Sequence, residues 1–320
     1  MTTIRPFALA DVGEAGRLLA ARHAAHRQAQ PLLAARYEGP AVAQAEIADA
    51  LKREGATGAV AVDGDRLTGY LLGAPKPSPA WGPNAWVESA GQAAEDPETM
   101  RDLYAMAAAS WVDDGRTAHY VLAPTHDLAL LDAWYRLGFG QQQAHAIRAV
   151  PTAPPTPPPS LNIRRPNRAD LDVLTRLALE LPEYQRRSPV FSAAEVPTYE
   201  QARTEWENEI DNEAYGLFVA ELDGRVVGTA GTMALAEAGS HIGPARADNA
   251  GYLAFSAILP EARGRGAGRA LGEAAGWWAA ASGFDSIVVD WRVTNLLASR
   301  TWPRLGFETS FLRLHRLVGY

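Results

Sequence analysis

Residues 263–272 read Arg263-Gly264-Arg265-Gly266-Ala267-Gly268-Arg269-Ala270-Leu271-Gly272. They follow the apolar run AGYLAFSAILP and precede a helical pattern with apolar positions at Leu271, Ala274, Ala275 and Trp278. A strand, a glycine loop and a helix start, in that order, point backbone N–H groups and the positive end of a helix dipole at one spot, which is an anion site. Glycine lets the backbone come close to a ligand, and Arg263, Arg265 and Arg269 add charge-assisted donors. A pyrophosphate suits such a loop better than a single carboxylate. The dinucleotide fingerprint G-x-G-x-x-G fails, because its third glycine would fall on Arg269 or Leu271. The Walker A pattern fails as well, for want of Gly-Lys-Ser/Thr. The bland alternative is a glycine-rich turn with surface arginines.

Outward from the loop, the chain repeats itself. VPTAPPTPPPSL at 150–161 holds six prolines and no hydrophobic period, the composition of a semi-rigid spacer. It divides the chain into 1–149, a linker at 150–161, and 162–320. Each half opens with a strand (TIRP, NIRRP) and a helical pattern, over about 11–22 and 169–181. A second helix and a hairpin follow, the turns marked by Asp63-Gly64 and Asp223-Gly224. Near their ends, DLALLDAWYRLGF (127–139) matches NLLASRTWPRLGF (295–307), with Trp134 against Trp302, Gly138 against Gly306 and Asp127 against Asn295. A tandem repeat of one α/β domain, each copy a mixed central β-sheet flanked by helices, is the simplest account.

At 320 residues and 47% hydrophobic content the chain can bury a full core. The net charge of −7 and the absence of a basic block argue against a nucleic-acid surface. There are no cysteines, which removes disulfides, thiolate metal sites and a cysteine nucleophile. MTTIRPFALADVGEAG has neither a signal peptide's regions nor an apolar span, so the protein reads as cytoplasmic, with no membrane partner.

Arg263-Gly264-Arg265-Gly266-Ala267-Gly268 resembles the Q/R-x-x-G-x-G/A acyl-CoA loop of the GNAT superfamily of N-acetyltransferases, and Asn295, Ala298 and Leu305-Gly306-Phe307 match its N-x-x-A and L-G-F positions. The resemblance covers the second half well and the first in outline. It implies two tandem GNAT-like domains, with acetyl-CoA as cofactor. Arg263 to Arg269 would hold the pyrophosphate, including Ala267, and the backbone of Ile258 and Leu259 would bind the pantetheine arm. Asn295, Ala298 and Trp302 would flank that arm where two central strands splay apart. In the first half the matching loop, Gly91-Gln92-Ala93-Ala94-Glu95-Asp96-Pro97, has one glycine, no arginine and two carboxylates where a pyrophosphate would sit. That copy is read as degenerate, so the cofactor site is expected in the second half alone.

Acetyl transfer to an amine needs a proton acceptor for the amine and a proton for the leaving thiolate. The tyrosine that many family members use for the second task is replaced by Trp302, which leaves water or a group such as Ser299. For the base, Tyr252 and Asp290 are candidates; the alternatives are an ordinary half-buried strand tyrosine and a salt bridge from Asp290 to Arg292. Strand alternation places Tyr252, Ala254 and Ser256 on one face and Leu253 and Phe255 on the other. The acidic helix YEQARTEWENEIDNEAYG offers either a rim for a cationic amine or a solvated face. His241 and Asp248 read as solvated loop residues, and His23 and His26 as an exposed helix face with no metal site. The expectation is an N-acetyltransferase acting on a small primary amine by direct attack, as monomer or homodimer. A non-catalytic acyl-CoA-binding sensor or scaffold is its competitor, and a nucleotide-phosphate enzyme a more distant one.

Overall fold

A computed structural model describes residues 2–192 and 194–319. The chain forms two compact units that interleave in sequence. The first comprises the chain up to Ala144, the segment His241–Asp248 and the chain from Thr309 on; the second comprises His145–Ser240 and Asn249–Glu308. The proline-rich stretch therefore belongs to the second unit, and the last strand of the chain to the first.

The first unit runs β1 (Thr3–Pro6), α1 (Val12–Ala29), α2 (Pro40–Leu51), the hairpin β2 (Thr57–Asp63) and β3 (Arg66–Gly73), β4 (Asn84–Val87), β5 (Gln92–Ala94), α3 (Thr99–Asp113), β6 (Ala118–Pro124), α4 (Leu128–Arg136) and β7 (Gly140–Ala149), the last shared at its end with the second unit. The second continues with β8 (Leu161–Arg164), α5 (Leu171–Arg186), α6 (Tyr199–Glu209), the hairpin β9 (Gly216–Leu222) and β10 (Arg225–Ala234), β11 (Ala250–Ile258), α7 (Ala267–Ala281), β12 (Ser286–Arg292) and α8 (Leu296–Thr301). β13 (Glu308–Leu317) then pairs antiparallel with β6 of the first unit, while β4 lies parallel to β6. In the first unit β1, β2, β3 and β5 pair in that order; in the second, β8 to β11 pair antiparallel and β11 lies parallel to β12.

The repeat is visible in atoms. Arg5 pairs with Asp11 at 2.6 Å and Arg164 with Asp170 at 2.7 Å, each carboxylate also accepting the N–H of the residue three before it, Ala8 or Asn167. The guanidinium holds each of these carboxyls below the usual range. Asp127 and Asn295 cap α4 and α8, accepting from the N–H of Leu130 and Ala298. Gly138 and Gly306 both take the left-handed conformation that glycine tolerates, at φ +82° and +81°, the first just after α4 and the second after the 3-10 turn that follows α8. Leu19, Ile47, Val60 and Tyr70 centre the first core; Leu174, Trp206, Ile210 and Val219 pack α5 and α6 on the second sheet.

Two histidine expectations are overturned. His23 and His26 are buried, His23 with Nε2 at 2.8 Å from the Ala34 carbonyl and His26 stacked on His126 at 4.4 Å, because α1 turns that face to the core. His241 is also buried, whereas Asp248 stays exposed, as expected, and pairs with Arg36.

Candidate cofactor and acceptor cleft

The site in the second unit starts from a fault in β11. Gly231 of β10 pairs with Phe255 and Thr232 with Leu253, so Ala254 is the extra residue of a β-bulge. The bulge changes which face each side chain takes. Gly251, before it, lies against Ala279 of α7, whereas Phe255 and Ala257, after it, pack with Leu177 of α5. The simple alternation of Tyr252, Ala254 and Ser256 on one face is thus overturned: an added residue reverses the parity.

The bulge also ends the parallel ladder. β11 and β12 pair from Ala250–Ser286 to Leu253–Val289 and no further, although β11 runs on to Ile258 and β12 to Arg292. The strands diverge and leave a wedge. A cleft of ≈ 510 Å³ opens there, floored by Leu253 to Ile258 and bounded by Glu180, Leu181, Tyr184 and Gln185 of α5, by Asp290 and Trp291, and by Asn295, Ala298, Thr301 and Trp302. That volume is typical of a small-molecule site.

At one end of the cleft stand Arg263, Gly264, Gly266, Ala267, Gly268 and Arg269. Gly264 and Gly266 have φ of +78° and +88°, a conformation that a side chain would strain. Ala270 is the residue whose N–H returns to the Gly266 carbonyl, at 3.0 Å, so the N–H groups of the preceding turn have no partner within the helix. A pyrophosphate fits this cradle. The arginines are near at hand: Arg263 at 3.5 Å from Glu180, Arg265 at 3.9 Å from Asp223 and Arg269 at 2.8 Å from Glu273. The long contacts to Glu180 and Asp223 and the exposed guanidinium of Arg269 leave all three weakly held, so a phosphate can draw the guanidinium groups away.

The remaining expected residues fall in different places. Ile258 lines the cleft. Leu259 does not serve as expected, because its N–H donates to the Val227 carbonyl at 2.9 Å and its carbonyl accepts from Ala262 at 3.0 Å. Asn295 and Ala298 reach the wedge, with the Asn295 side-chain oxygen engaged in capping α8. Trp302 borders the cleft and meets Phe307 edge to face, as Trp134 meets Phe139 in the first unit.

Tyr252 and Asp290 are brought together, the phenol donating to the carboxylate at 3.0 Å. Burial, and then the charge of Asp290, push the Tyr252 phenol well above its ordinary range. Tyr252 thus stays a proton donor, unsuited to the base role, and Asp290 is the member of the pair that faces the cleft. Ser299 is tied down: its hydroxyl donates to the Val293 carbonyl at 2.8 Å and accepts from the Trp291 indole at 3.0 Å. On the acidic helix, Trp206 is core, Arg203 pairs with Asp172 and Glu207, and Asp211 beyond its end pairs with Arg168. Crowding against Glu205 adds to burial in raising the Glu209 carboxyl. Glu180, Tyr184 and Gln185 were not anticipated; the i, i+4 spacing of Glu180 and Tyr184 on one face of α5 was the available signal.

In the first unit the corresponding wedge is closed. β4 leaves β6 after Val87, and residues 92–94, expected as loop, form β5 on β3. The Gln92 amide donates to the Leu122 carbonyl at 3.0 Å and its oxygen accepts from the Trp134 indole at 2.9 Å, with Gln92 and Trp134 both fully buried. Glu95, expected to face a phosphate site, pairs instead with Arg66 and Arg17. Among the described residues, no helix is long and apolar enough to cross a membrane, and no cluster of side chains could hold a metal.

Similarity to known proteins agrees with this geometry. The fold is similar to that of a GCN5-related N-acetyltransferase from Sphaerobacter thermophilus, at 15% identity over 100% of this chain and 96% of that one, TM-score 0.58. It is also similar to the glucosamine N-acetyltransferase region of a fungal multi-domain GH3 β-N-acetylglucosaminidase, at 14% identity over 98% of this chain and 38% of that one, TM-score 0.51. At such identities the likeness is one of fold. No curated protein matches the sequence. The model of the acetyltransferase (GNAT) family matches residues 179–307, from α5 through the glycine loop to Phe307. The second half of the chain thus carries a GNAT acetyltransferase domain.

Proposed function

We propose that the protein transfers the acetyl group of acetyl-CoA to a small primary amine by direct attack, with the cofactor bound in the second unit alone. The observation that carries this reading is the pairing of a bulge-opened wedge between β11 and β12 with a glycine cradle at the start of α7. Arg263 to Arg269 hold the pyrophosphate through backbone N–H groups and guanidinium charge. Acetyl-CoA supplies the acyl thioester. The open edge of β11, Ala298 and Trp302 hold the arm that bears it. Asp290, oriented by the Tyr252 hydroxyl, takes the ammonium proton directly or through water and leaves the nitrogen lone pair free to attack. With an indole at 302 and Ser299 tied down, protonation of the leaving sulfur falls to solvent. The protein would work in the cytoplasm, as a monomer or homodimer.

A second reading, a non-catalytic acyl-CoA sensor or scaffold, is favoured by one observation: Trp302 packs as Trp134 does in the closed unit. Calorimetric titration of acetyl-CoA into the parent and into Gly266→Glu/Gly268→Glu tests the first reading. One equivalent bound by the parent and none by the variant supports it; no uptake by the parent ends it. Amine-dependent release of thiol then excludes the sensor.

A further inference from the structure

An ion pair links the acceptor wall of the cleft to the glycine loop. Arg263 Nη2 lies 3.5 Å from Glu180 Oε2, the side chains being 31% and 25% exposed. The same guanidinium sits over the ring of Tyr184, 5.3 Å from its centre. Glu180, Tyr184 and Arg263 all line the cleft, next to Gly264 and Gly266. At 3.5 Å the contact is at the long limit of a hydrogen bond, so it holds the arginine weakly. A pyrophosphate in the adjoining cradle offers more negative charge and bidentate geometry, and would take the guanidinium from the carboxylate. Glu180 is then left three-quarters buried with its counter-charge withdrawn, a state that a cation relieves. The surrounding walls are Leu181, Leu253, Phe255, Trp291 and Leu297, which suit an apolar body rather than a sugar or a polycation.

We propose that Glu180 is the carboxylate that positions the acceptor's ammonium, that Arg263 occupies it until the acyl-CoA pyrophosphate draws the arginine away, and that the acceptor is a primary amine on an apolar body. This rests on the acetyl-CoA reading above. Its consequence is coupled binding: coenzyme A strengthens amine binding, and the amine strengthens coenzyme A binding by the same factor.

The test is a cycle of four proteins, the parent, Glu180→Gln, Arg263→Gln and the double variant, titrated calorimetrically with coenzyme A and assayed for acetylation of phenethylamine. Glu180→Gln should tighten coenzyme A by about 2- to 5-fold, the worth of a long, weakly held ion pair removed as competitor. On the Arg263→Gln background the same change should leave the affinity where it is. The phenethylamine KM should rise by about 10-fold or more in Glu180→Gln, the loss falling on KM rather than on kcat. Unaltered coenzyme A affinity in Glu180→Gln, unaltered KM, or a parent that binds coenzyme A without acetylating phenethylamine overturns the proposal while the cofactor site stands. A parent that takes up no coenzyme A overturns both.

Discussion

The two units build the same wedge and treat it in opposite ways. In each, the parallel ladder stops short of the end of its later strand, a capped helix follows, and a tryptophan packs against the phenylalanine after a left-handed glycine. In the first unit Gln92 spans the gap from Trp134 to the Leu122 carbonyl, and Arg22 donates to the carbonyls of Ser89 and Gln92. In the second, the same gap is left to a cleft with a glycine cradle at its end. One unit fills the gap with its own polar groups, and the other keeps an open cleft there. A fold supplies the position of a site; a few side chains decide whether it stays open.

The largest effect that bears on this contrast is in the cradle. Gly266→Glu/Gly268→Glu places two carboxylates where phosphate oxygens would lie, one of them at φ +88°, and acetyl-CoA affinity should fall by more than about 100-fold. Binding within about 3-fold of the parent would remove the loop from the site. Next comes the closed wedge. Trp134→Ala should cost about 3–5 kcal/mol by emptying a fully buried position, read as a lower denaturation midpoint, yet acetyl-CoA should still bind with one equivalent. A second equivalent would mean that only the plug separates the two units in function. Gln92→Leu leaves a buried indole N–H and a carbonyl unpaired, and should cost about 1–3 kcal/mol.

Smaller still is an acid effect confined to the first unit. Burial lowers His23 to about 4 and His26 to about 2, with Arg22, Arg27 and His126 opposing charge nearby and Glu38 favouring it at His23. Unfolded, both would titrate near ~6.5. As pH falls from about 6.5 to about 4, the unfolded chain takes up protons that the native histidines refuse, so stability declines through that window. His26→Leu should flatten the dependence of Tm on pH between 7 and 5; an unchanged slope would show that His26 takes up its proton equally in the native and unfolded states.

The sequence was most legible where local chemistry is decisive. The order of elements apart from β5, both Asp-Gly hairpin turns and the glycine loop all follow from residues that act on their own neighbours. Even the match of Asp127 with Asn295, first met as a repeat and then as a cofactor motif, has a local cause in helix capping. The bulge at Ala254 was not legible, since nothing in AGYLAFSAILP says that one residue goes unpaired; its partner strand decides that. For the same reason Leu259 was assigned to a ligand when Val227 already held it, and the buried faces of His23 and His26 were taken for solvent. Glu180 was missed because it meets Arg263 only through the tertiary fold.

The finest comparison makes one substitution at both equivalent positions. Trp134→Phe removes a donor that a buried Gln92 oxygen accepts from, so it should cost about 1–3 kcal/mol with no effect on acetyl-CoA binding. Trp302→Phe keeps an aromatic ring against Phe307 and trims one wall of the cleft. It should cost less than about 1.5 kcal/mol, as volume-tolerant hydrophobic changes do. If the indole has no part in proton transfer, kcat for amine acetylation should change by less than about 3-fold, a barrier change of under ~1 kcal/mol. A loss of turnover with acetyl-CoA binding intact would reverse the argument. Trp302 would then be a member of the chemistry, and its likeness to Trp134 would be one of packing only.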